Sequence, residues 1–190
     1  MNKDPRYWHS RGFLPHFDAE GLTQFITFRL ADSMPQNVLD KWRLELEQNE
    51  ITDADFRRRI EHYLDQNYGA GYLRDERIAT GLQETLLKWD GERYNLIAWT
   101  IMPNHGHLLL TPIRPATVSE IMHSIKSFTA HEANRILGRK GSFWAKEYFD
   151  RYIRDYKHFA STIAYIENNP VKARLCSSPD QWPYGSAYFK

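Results

Sequence analysis

Two histidines separated by one residue could form half of a metal site. His105 and His107 lie at the head of an apolar segment that is typical of a β-strand, in which residues i and i+2 face the same side. Their Cα atoms would lie about 6.6 Å apart, at roughly 3.3 Å per residue. Two imidazoles at this spacing can bind one divalent ion together. The pair alone equally suits a structural or surface role, so a metal site requires further ligands.

A second pair, Tyr165 and Asn169, is spaced for one face of a helix. The two residues are four apart in a segment that begins near Asp155, and side chains at i and i+4 lie one above the other on a helix. A phenol has an ordinary pKa of about 10, so attack at neutral pH needs help, which a divalent ion polarising a phosphate can give. The alternative for Tyr165 is a core aromatic beside Ile163 and Ile166.

The sequence pattern predicts the elements that would position these four side chains. Alternating apolar and polar residues, rich in β-branched and aromatic types, predict strands at residues 23–30, 94–102, 106–112 and, as an extended segment, 143–153, with a tight turn at 103–104. Helical spacing and candidate N-caps predict helices as a hairpin at 35–66 and singly near 75–89, 117–137 and 155–169. This order predicts an α+β fold, a ferredoxin-like antiparallel sheet with helices on one face, plus an inserted helical hairpin.

The length of 190 residues fits a single catalytic domain, 1–190, that carries residues 35–66 as an accessory helical insertion. Residues 31–95 contain nine Lys or Arg and fourteen Asp or Glu. This acidic region would repel phosphates. We therefore expect the hairpin to lie outside the catalytic sheet and clear of nucleic acid.

Composition narrows the class of protein and its compartment. Hydrophobic residues make up 42% and charged residues 26% of the chain, which excludes disorder for most of it. Cys176 is the only cysteine, which excludes an internal disulfide and a cysteine zinc site and favours a reducing, cytoplasmic setting. Residues 1–17 are polar and contain two prolines, so we expect no signal peptide, and no segment is long enough for a membrane span.

Positive charge is concentrated in the second half of the chain. Residues 113–174 contain eleven Lys or Arg and six Asp or Glu, although the formal net charge of the chain is only +1. Flat rings interleaved with cations can stack unpaired bases while the cations bind phosphates. We predict DNA contacts from five residues: Lys126, Arg139, Lys140, Arg151 and Arg154. The alternative is a solvated basic strand with core aromatics.

Five segments, in order, resemble the REP-associated tyrosine transposases, which are single-tyrosine transposases with a His-hydrophobic-His motif. They are Trp-Thr-Ile-Met-Pro-Asn-His-Gly-His at 99–107, Ile-Lys-Ser-Phe-Thr at 125–129, Phe-Trp at 143–144, Tyr-Phe-Asp-Arg-Tyr-Ile-Arg at 148–154 and Tyr-Ile-Glu-Asn-Asn-Pro-Val-Lys-Ala at 165–173. Residues 11–17 and 24–31 look like the family's N-terminal part, so the resemblance covers nearly the whole chain. The departures are Gly106, where the family usually has a bulky apolar residue, and Arg174, where a glycine is common.

The resemblance implies a ferredoxin-like enzyme that binds Mg²⁺ or Mn²⁺ and cuts single-stranded DNA beside hairpins such as REP-like elements. By the family's pattern His105 and His107 are metal ligands, Asn169 is the third protein ligand, and Tyr165 is the nucleophile that forms a 5′-phosphotyrosine. It also implies a bacterial cytoplasm, with nucleoid DNA as the substrate. Family members act as monomers in cis or as homodimers in trans, and both states remain open.

Two other activities fit the same residues. A domesticated hairpin-binding protein would keep the basic surface and would have lost cleavage through changes such as Gly106. A metal-dependent phosphodiester hydrolase would use water as its nucleophile and would leave Tyr165 structural. A covalent adduct between protein and DNA would separate the transposase-like reaction from both.

Overall fold

A four-stranded antiparallel sheet organises the protein. The computed structural model describes residues 8–10, 15–17 and 21–190, so the resemblance at residues 11–17 lies partly outside the described residues. The strands are β1 (Trp8–Ser10), β2 (Pro15–Phe17), β3 (Gln24–Arg29), β4 (Tyr94–Ile101), β5 (His105–Pro112) and β6 (Phe149–Tyr152). The helices are α1 (Gln36–Glu47), α2 (Asp53–Asp65), α3 (Glu76–Lys88), α4 (Val118–Ile136) and α5 (Tyr156–Lys172), with short 3₁₀ helices at Tyr72–Arg74, Pro179–Gln181 and Ser186–Phe189.

The strand order confirms the ferredoxin-like α+β fold. The main sheet has the order β4-β5-β3-β6, and β1 pairs with β2 in a separate two-stranded sheet. Helix α3 precedes β4 and helix α4 follows β5, so β3, α3, β4, β5, α4 and β6 form the split βαβ pattern. Of the predicted extended segment 143–153, only β6 is a strand; an isolated bridge joins Trp144 to Leu30.

Both faces of the sheet are covered, and the two faces carry different elements. Ile26, Phe28 and Leu108 pack with the buried sides of α3 and α4 in the larger core. Leu109 on the other face packs with Ile166 of α5. The predicted one-sided arrangement therefore describes α3 and α4, whereas α5 lies on the opposite face. Covering both faces buries leucines at three successive positions of β5, as expected for a strand with no solvent side.

The helix boundaries follow from local capping. Thr52 and Thr117 each form a capping box with the carboxylate three residues on, and Asp155 accepts a hydrogen bond from the backbone of His158. A side chain therefore caps the N-terminus of each of these three helices. Helix α5 does not end before Pro170 as predicted, since it runs on to Lys172. The backbone after the proline remains bonded, with Leu175 N donating to Pro170 O at 2.9 Å.

Helices α1 and α2 confirm the predicted two-helix hairpin, but not its separation from the sheet. The hairpin has its own apolar cluster, which includes Leu39, Phe56 and Ile60. That cluster contacts Phe149 of β6, on the same sheet face as α5. The C-terminal turn of α2 also accepts a hydrogen bond from Asn104, at the start of β5. Among the helices that the structure describes, none is long and apolar enough to cross a membrane.

Gly106 is matched to the ring of Phe28. The two residues lie opposite each other in the β3–β5 register, and the Phe28 side chain is fully buried. A Cβ added to Gly106 would lie 2.6 Å from Cζ and 2.7 Å from Cε1 of Phe28. The phenyl ring thus fills the space that a bulky residue at position 106 would occupy, and the core keeps an apolar anchor there.

We predict that Gly106→Ala destabilises the fold, because the added methyl displaces a buried ring; overpacking costs about 1–3 kcal/mol. Phe28→Leu should relieve the clash, so the double variant should lose less free energy of unfolding than the two single losses added together. Urea unfolding of all four proteins measures this coupling.

Gly81→Ala is the matched control, because an added Cβ there meets nothing within 4 Å. In helix α3 this change should stabilise by about 0.5–1 kcal/mol. Additive losses at Phe28 and Gly106 would show that the ring does not depend on the glycine.

Candidate metal and nucleophile site

The two histidines face each other in the interior beneath α5. Alternation along β5 puts His105 and His107 on the same face as Leu109, as predicted, and both imidazoles are fully buried. Their Nε2 atoms are 3.2 Å apart. On β3, Arg29 lies opposite His105 and Thr27 lies opposite His107. The strand register therefore converges two ring nitrogens on one point.

Asn104 fixes the tautomer of His105. The Asn104 amide nitrogen donates to the carbonyl oxygens of Leu64 at 3.3 Å and Tyr68 at 2.9 Å, so its amide oxygen is turned towards His105. That oxygen lies 2.6 Å from His105 Nδ1 and can only accept, so Nδ1 carries the proton and Nε2 keeps a free lone pair. Such outer contacts orient metal-binding histidines. The sequence analysis had placed Asn104 only in a turn.

Burial keeps both rings neutral. His107 Nδ1 lies 2.9 Å from the hydroxyl of Thr27, which can donate or accept. Burial lowers the pKa of His105 to about 4. Burial, followed by the neighbouring His105, lowers the pKa of His107 well below its ordinary value. A neutral imidazole is the form that binds a metal ion.

Helix α5 brings Tyr165 and Asn169 onto these rings, as their spacing predicted. Asn169 is buried, its amide nitrogen lies 3.3 Å from His107 Nε2, and its amide oxygen has no hydrogen-bond partner. The oxygen and nitrogen of a side-chain amide are distinguished only by their surroundings. A 180° rotation of the Asn169 amide group would direct its oxygen to the point between the two Nε2 atoms. The Tyr165 ring centroid lies 5.4 Å from that of His107.

The donor set fits a divalent ion with an amide as its third protein ligand. No three His, Cys, Asp or Glu side chains within the described residues are grouped to hold a metal. Two imidazole nitrogens and the Asn169 oxygen would leave positions for a phosphate oxygen and water. The Asn169 oxygen, which has no hydrogen-bond partner within the described part of the chain, and the buried hydroxyl of Tyr165 are the groups that such an ion and its ligands would contact.

Two carboxylates of α2 also reach this site, and the sequence analysis missed them. Glu61 and Asp65 are four residues apart, on one face of α2. Asp65 pairs with Lys172 of α5 at 2.5 Å, and the Lys172 ammonium lies 5.9 Å from the centre of the Tyr165 ring. Burial first, then these two carboxylates, raise the pKa of Tyr165 well above its ordinary value. The phenol is therefore neutral in this arrangement.

The comparisons with known proteins identify the family. The model of the transposase IS200-like family matches residues 66–169, which is more than half of the chain. The chain belongs to this family. A candidate REP-associated tyrosine transposase of Haemophilus influenzae is 29% identical over 103 residues, which cover 49% of this chain and 58% of that protein. The REP-associated tyrosine transposase of Escherichia coli K12 is 26% identical over 107 residues, covering 55% and 62%.

These matches confirm the resemblance to the REP-associated tyrosine transposases. The matched segments span about three fifths of the length of the two curated relatives. A solved REP-associated tyrosine transposase bound to a REP hairpin superposes with a TM-score of 0.55 at 18% identity, covering 95% of this chain and 82% of that one. At this identity the superposition supports the ferredoxin-like fold of this chain.

The five predicted DNA contacts do not share one environment in the structure. Arg151 is half-buried, with its guanidinium 4.8 Å from the centre of the Phe25 ring beside the site. Lys126 is also half-buried, and its ammonium donates to Lys146 O at 2.8 Å. Arg139 lies over the ring of Tyr72, while Lys140 and Arg154 are exposed. Their roles on DNA remain predictions.

The neutral histidines predict a loss of stability in acid when no divalent ion is present. The pKa of His105 is about 4 when folded and about 6.5 when unfolded, so the unfolded chain binds more protons between these values. Above pH 6.5 this difference in the pKa of His105 does not reduce the free energy of unfolding. As the pH falls from 6.5 to about 4, the free energy of unfolding decreases by about 3 kcal/mol.

Unfolding in urea with a chelator, repeated across this pH range, measures the slope. His105→Gln should flatten it, and His123→Gln should not, because His123 is exposed on α4. An equal slope in wild type and His105→Gln would remove His105 as the cause.

Proposed function

We propose that this IS200-like transposase cleaves and rejoins single-stranded DNA, with Tyr165 as the nucleophile and Mg²⁺ or Mn²⁺ held by His105, His107 and Asn169. The observation that carries the proposal is the convergence, beneath α5, of two ring Nε2 atoms 3.2 Å apart with the buried hydroxyl of Tyr165 and with an Asn169 amide oxygen that has no hydrogen-bond partner among the described residues. Buried polar groups without partners are costly in a structural core. They are expected where a substrate and an ion complete the site.

A divalent ion at this position would polarise the scissile phosphate and offset its negative charge. The chain's own residues prepare that position. Asn104 holds the Nε2 lone pair of His105 towards it. The Thr27 hydroxyl can accept a hydrogen bond from Nδ1–H of His107, which leaves the lone pair on Nε2. The helical face of α5 then holds Tyr165 one turn from Asn169.

Transesterification follows from this placement. The Tyr165 oxygen bonds to phosphorus, and the bond between phosphorus and the 3′ oxygen breaks. The phenol loses one proton and the released 3′ oxygen gains one, so the step is balanced. The product is a 5′-phosphotyrosine and a free 3′-hydroxyl, and the reverse reaction rejoins a strand without a nucleotide cofactor.

The proposed substrate is single-stranded DNA beside a hairpin. The solved neighbour is a transposase bound to a REP hairpin, and the second curated relative is a REP-associated transposase; we extend that class of substrate to this chain. The packing of Phe28 over Gly106 favours cleavage over the binding-only alternative, because the glycine does not leave the histidine strand without a core anchor.

A single chain contains every proposed group, which supports action in cis. Tyr165 and His107 lie in ring contact within one chain, and Lys172 of the same helix pairs with Asp65. A helix donated by a partner is therefore not required to complete the site.

We predict that Tyr165→Phe abolishes the denaturation-resistant adduct with a hairpin-flanked oligonucleotide in Mn²⁺ and leaves oligonucleotide affinity unchanged within about twofold, because phosphate contacts elsewhere carry affinity. Tyr156→Phe is the control, since Tyr156 begins the same helix and is 83% exposed; it should form adduct at the wild-type rate. Cleavage by Tyr165→Phe at the wild-type rate would replace this proposal with the hydrolase.

Action in cis predicts that two inactive variants cannot rescue each other. A mixture of His107→Ala and Tyr165→Phe, incubated together before DNA is added, should form no adduct. The control mixes each variant with wild type, which should retain adduct in proportion to the wild-type fraction. Adduct from the mixture of the two variants would instead show that α5 is exchanged between chains.

A further inference from the structure

A charged cavity lies at the end of β3, where Arg29 is the cross-strand neighbour of His105. Its volume is about 400 Å³, and its lining includes Arg29, Gln36, Arg43, Trp144, Lys146 and Glu147. It is formed where the end of β3, the start of α1 and residues 142–147 meet. None of the residues predicted from the sequence to contact DNA lines it.

Arg29 is buried in the wall of this cavity with incomplete hydrogen bonding. The residue is only 5% exposed, and its Nε has no hydrogen-bond partner in the portion of the chain that the structure describes. Its Nη1 makes only long contacts, 3.4 Å to Leu30 O and 3.4 Å to the Ser33 hydroxyl. No carboxylate of the described residues lies within ion-pair distance of it. A buried guanidinium is ordinarily paired with an anion.

The surrounding charges leave an excess of positive charge. Arg29, Arg43, Lys126 and Lys146 lie around Glu147, which already binds Arg43 at 2.9 Å. Arg43 also lies 3.4 Å from Asp40, so these four cations face two carboxylates among the described residues. Burial, followed by the charge of Arg43, lowers the pKa of Arg29. Burial, followed by the charge of Arg29, lowers the pKa of Lys126 to about 8. A bound anion would relieve both.

The position of Arg29 indicates which anion. Arg29 is the cross-strand neighbour of His105, and neighbouring residues of an antiparallel pair have Cα atoms roughly 4.5–5.5 Å apart. The backbone of Arg29 therefore lies beside that of His105, and its guanidinium extends towards Leu30 O and the Ser33 hydroxyl. A group bound there lies to one side of the phosphate that Tyr165 would attack. A guanidinium group can donate two parallel hydrogen bonds to two oxygens of one phosphate.

We propose that the cavity of Arg29 and Arg43 binds a phosphate of the DNA strand next to the scissile phosphate and so sets the position of the strand over the histidines. This inference rests on the proposed function.

The test measures binding without cleavage. Affinity for a fluorescent single-stranded oligonucleotide is followed by anisotropy, with a chelator, in the Tyr165→Phe background, over a range of salt concentrations. Arg29→Met should lower affinity about tenfold or more, as expected for charged hydrogen bonds, and should flatten the slope of log affinity against log salt by about 0.7. The control is Arg77→Met on α3, where Arg77 is exposed and pairs with Asp75; its slope and affinity should stay at the parent values.

Two further measurements keep the result independent of folding. Arg29→Lys retains the charge and loses the paired geometry, so it should keep most of the slope and still lose affinity. Thermal unfolding should show that inorganic phosphate, compared with chloride at equal ionic strength, stabilises wild type and Arg77→Met but not Arg29→Met.

The outcomes separate the hypotheses. Unchanged slope and affinity in folded Arg29→Met would overturn this inference. Stabilisation by inorganic phosphate with no effect of Arg29→Met on DNA affinity would overturn it too, because the cavity would then bind free phosphate. Normal adduct formation by the wild type in that case would leave the proposed function standing. Failure of the wild type to form adduct in Mn²⁺ would overturn the proposed function itself.

Discussion

Two imidazoles are buried in the middle of the sheet without a carboxylate bonded to either, and the elements around them keep the rings neutral and oriented. Asn104 is hydrogen-bonded to His105 and Thr27 to His107, and the Asn169 amide contacts His107 Nε2 from α5. Thr27 lies on β3, Asn104 directly precedes β5 and Asn169 lies on α5. These three elements must therefore be correctly packed for the hydrogen bonds to the histidines to form. The last turn of α2 belongs to the same arrangement, because its Leu64 carbonyl orients Asn104.

The two faces of the sheet divide stability from chemistry. The face that packs on α3 and α4 holds the larger apolar core. The opposite face carries smaller apolar clusters, one around Phe25, Leu109 and Ile166 and one in the α1–α2 hairpin that contacts Phe149, together with the buried polar side chains of Thr27, Arg29, His105 and His107. Because residues alternate along a strand, the same short segment, β5, supplies core leucines to one face and the two candidate ligands, His105 and His107, to the other. The cost of burying these polar groups is offset by packing on the far side.

The local parts of this arrangement could be predicted from the sequence, whereas the contacts between distant segments could not. Alternation placed His105 and His107 on one face, and a four-residue spacing placed Tyr165 above Asn169, since both rules act within one element. The face of the sheet that α5 covers depends on tertiary packing. The approach of Glu61 and Asp65 to Tyr165 also depends on tertiary packing. Their i, i+4 spacing could have indicated a shared site, but the hairpin was interpreted as an accessory insertion. Arg29 also gave a signal, because alternation along the predicted strand points it to the same face as Phe25.

The fit between Phe28 and Gly106 constrains how this sequence can change over evolutionary time. A ring that approaches within 2.7 Å of where a Cβ would stand makes any larger residue at position 106 unfavourable while Phe28 is present. A lineage that exchanges this glycine for a bulky apolar residue must therefore reduce position 28 first, through an intermediate with a cavity in its core. The reverse order passes through an overpacked intermediate. The two positions should behave as one inherited unit, and relatives should carry either a large residue at 28 with glycine at 106 or the opposite combination.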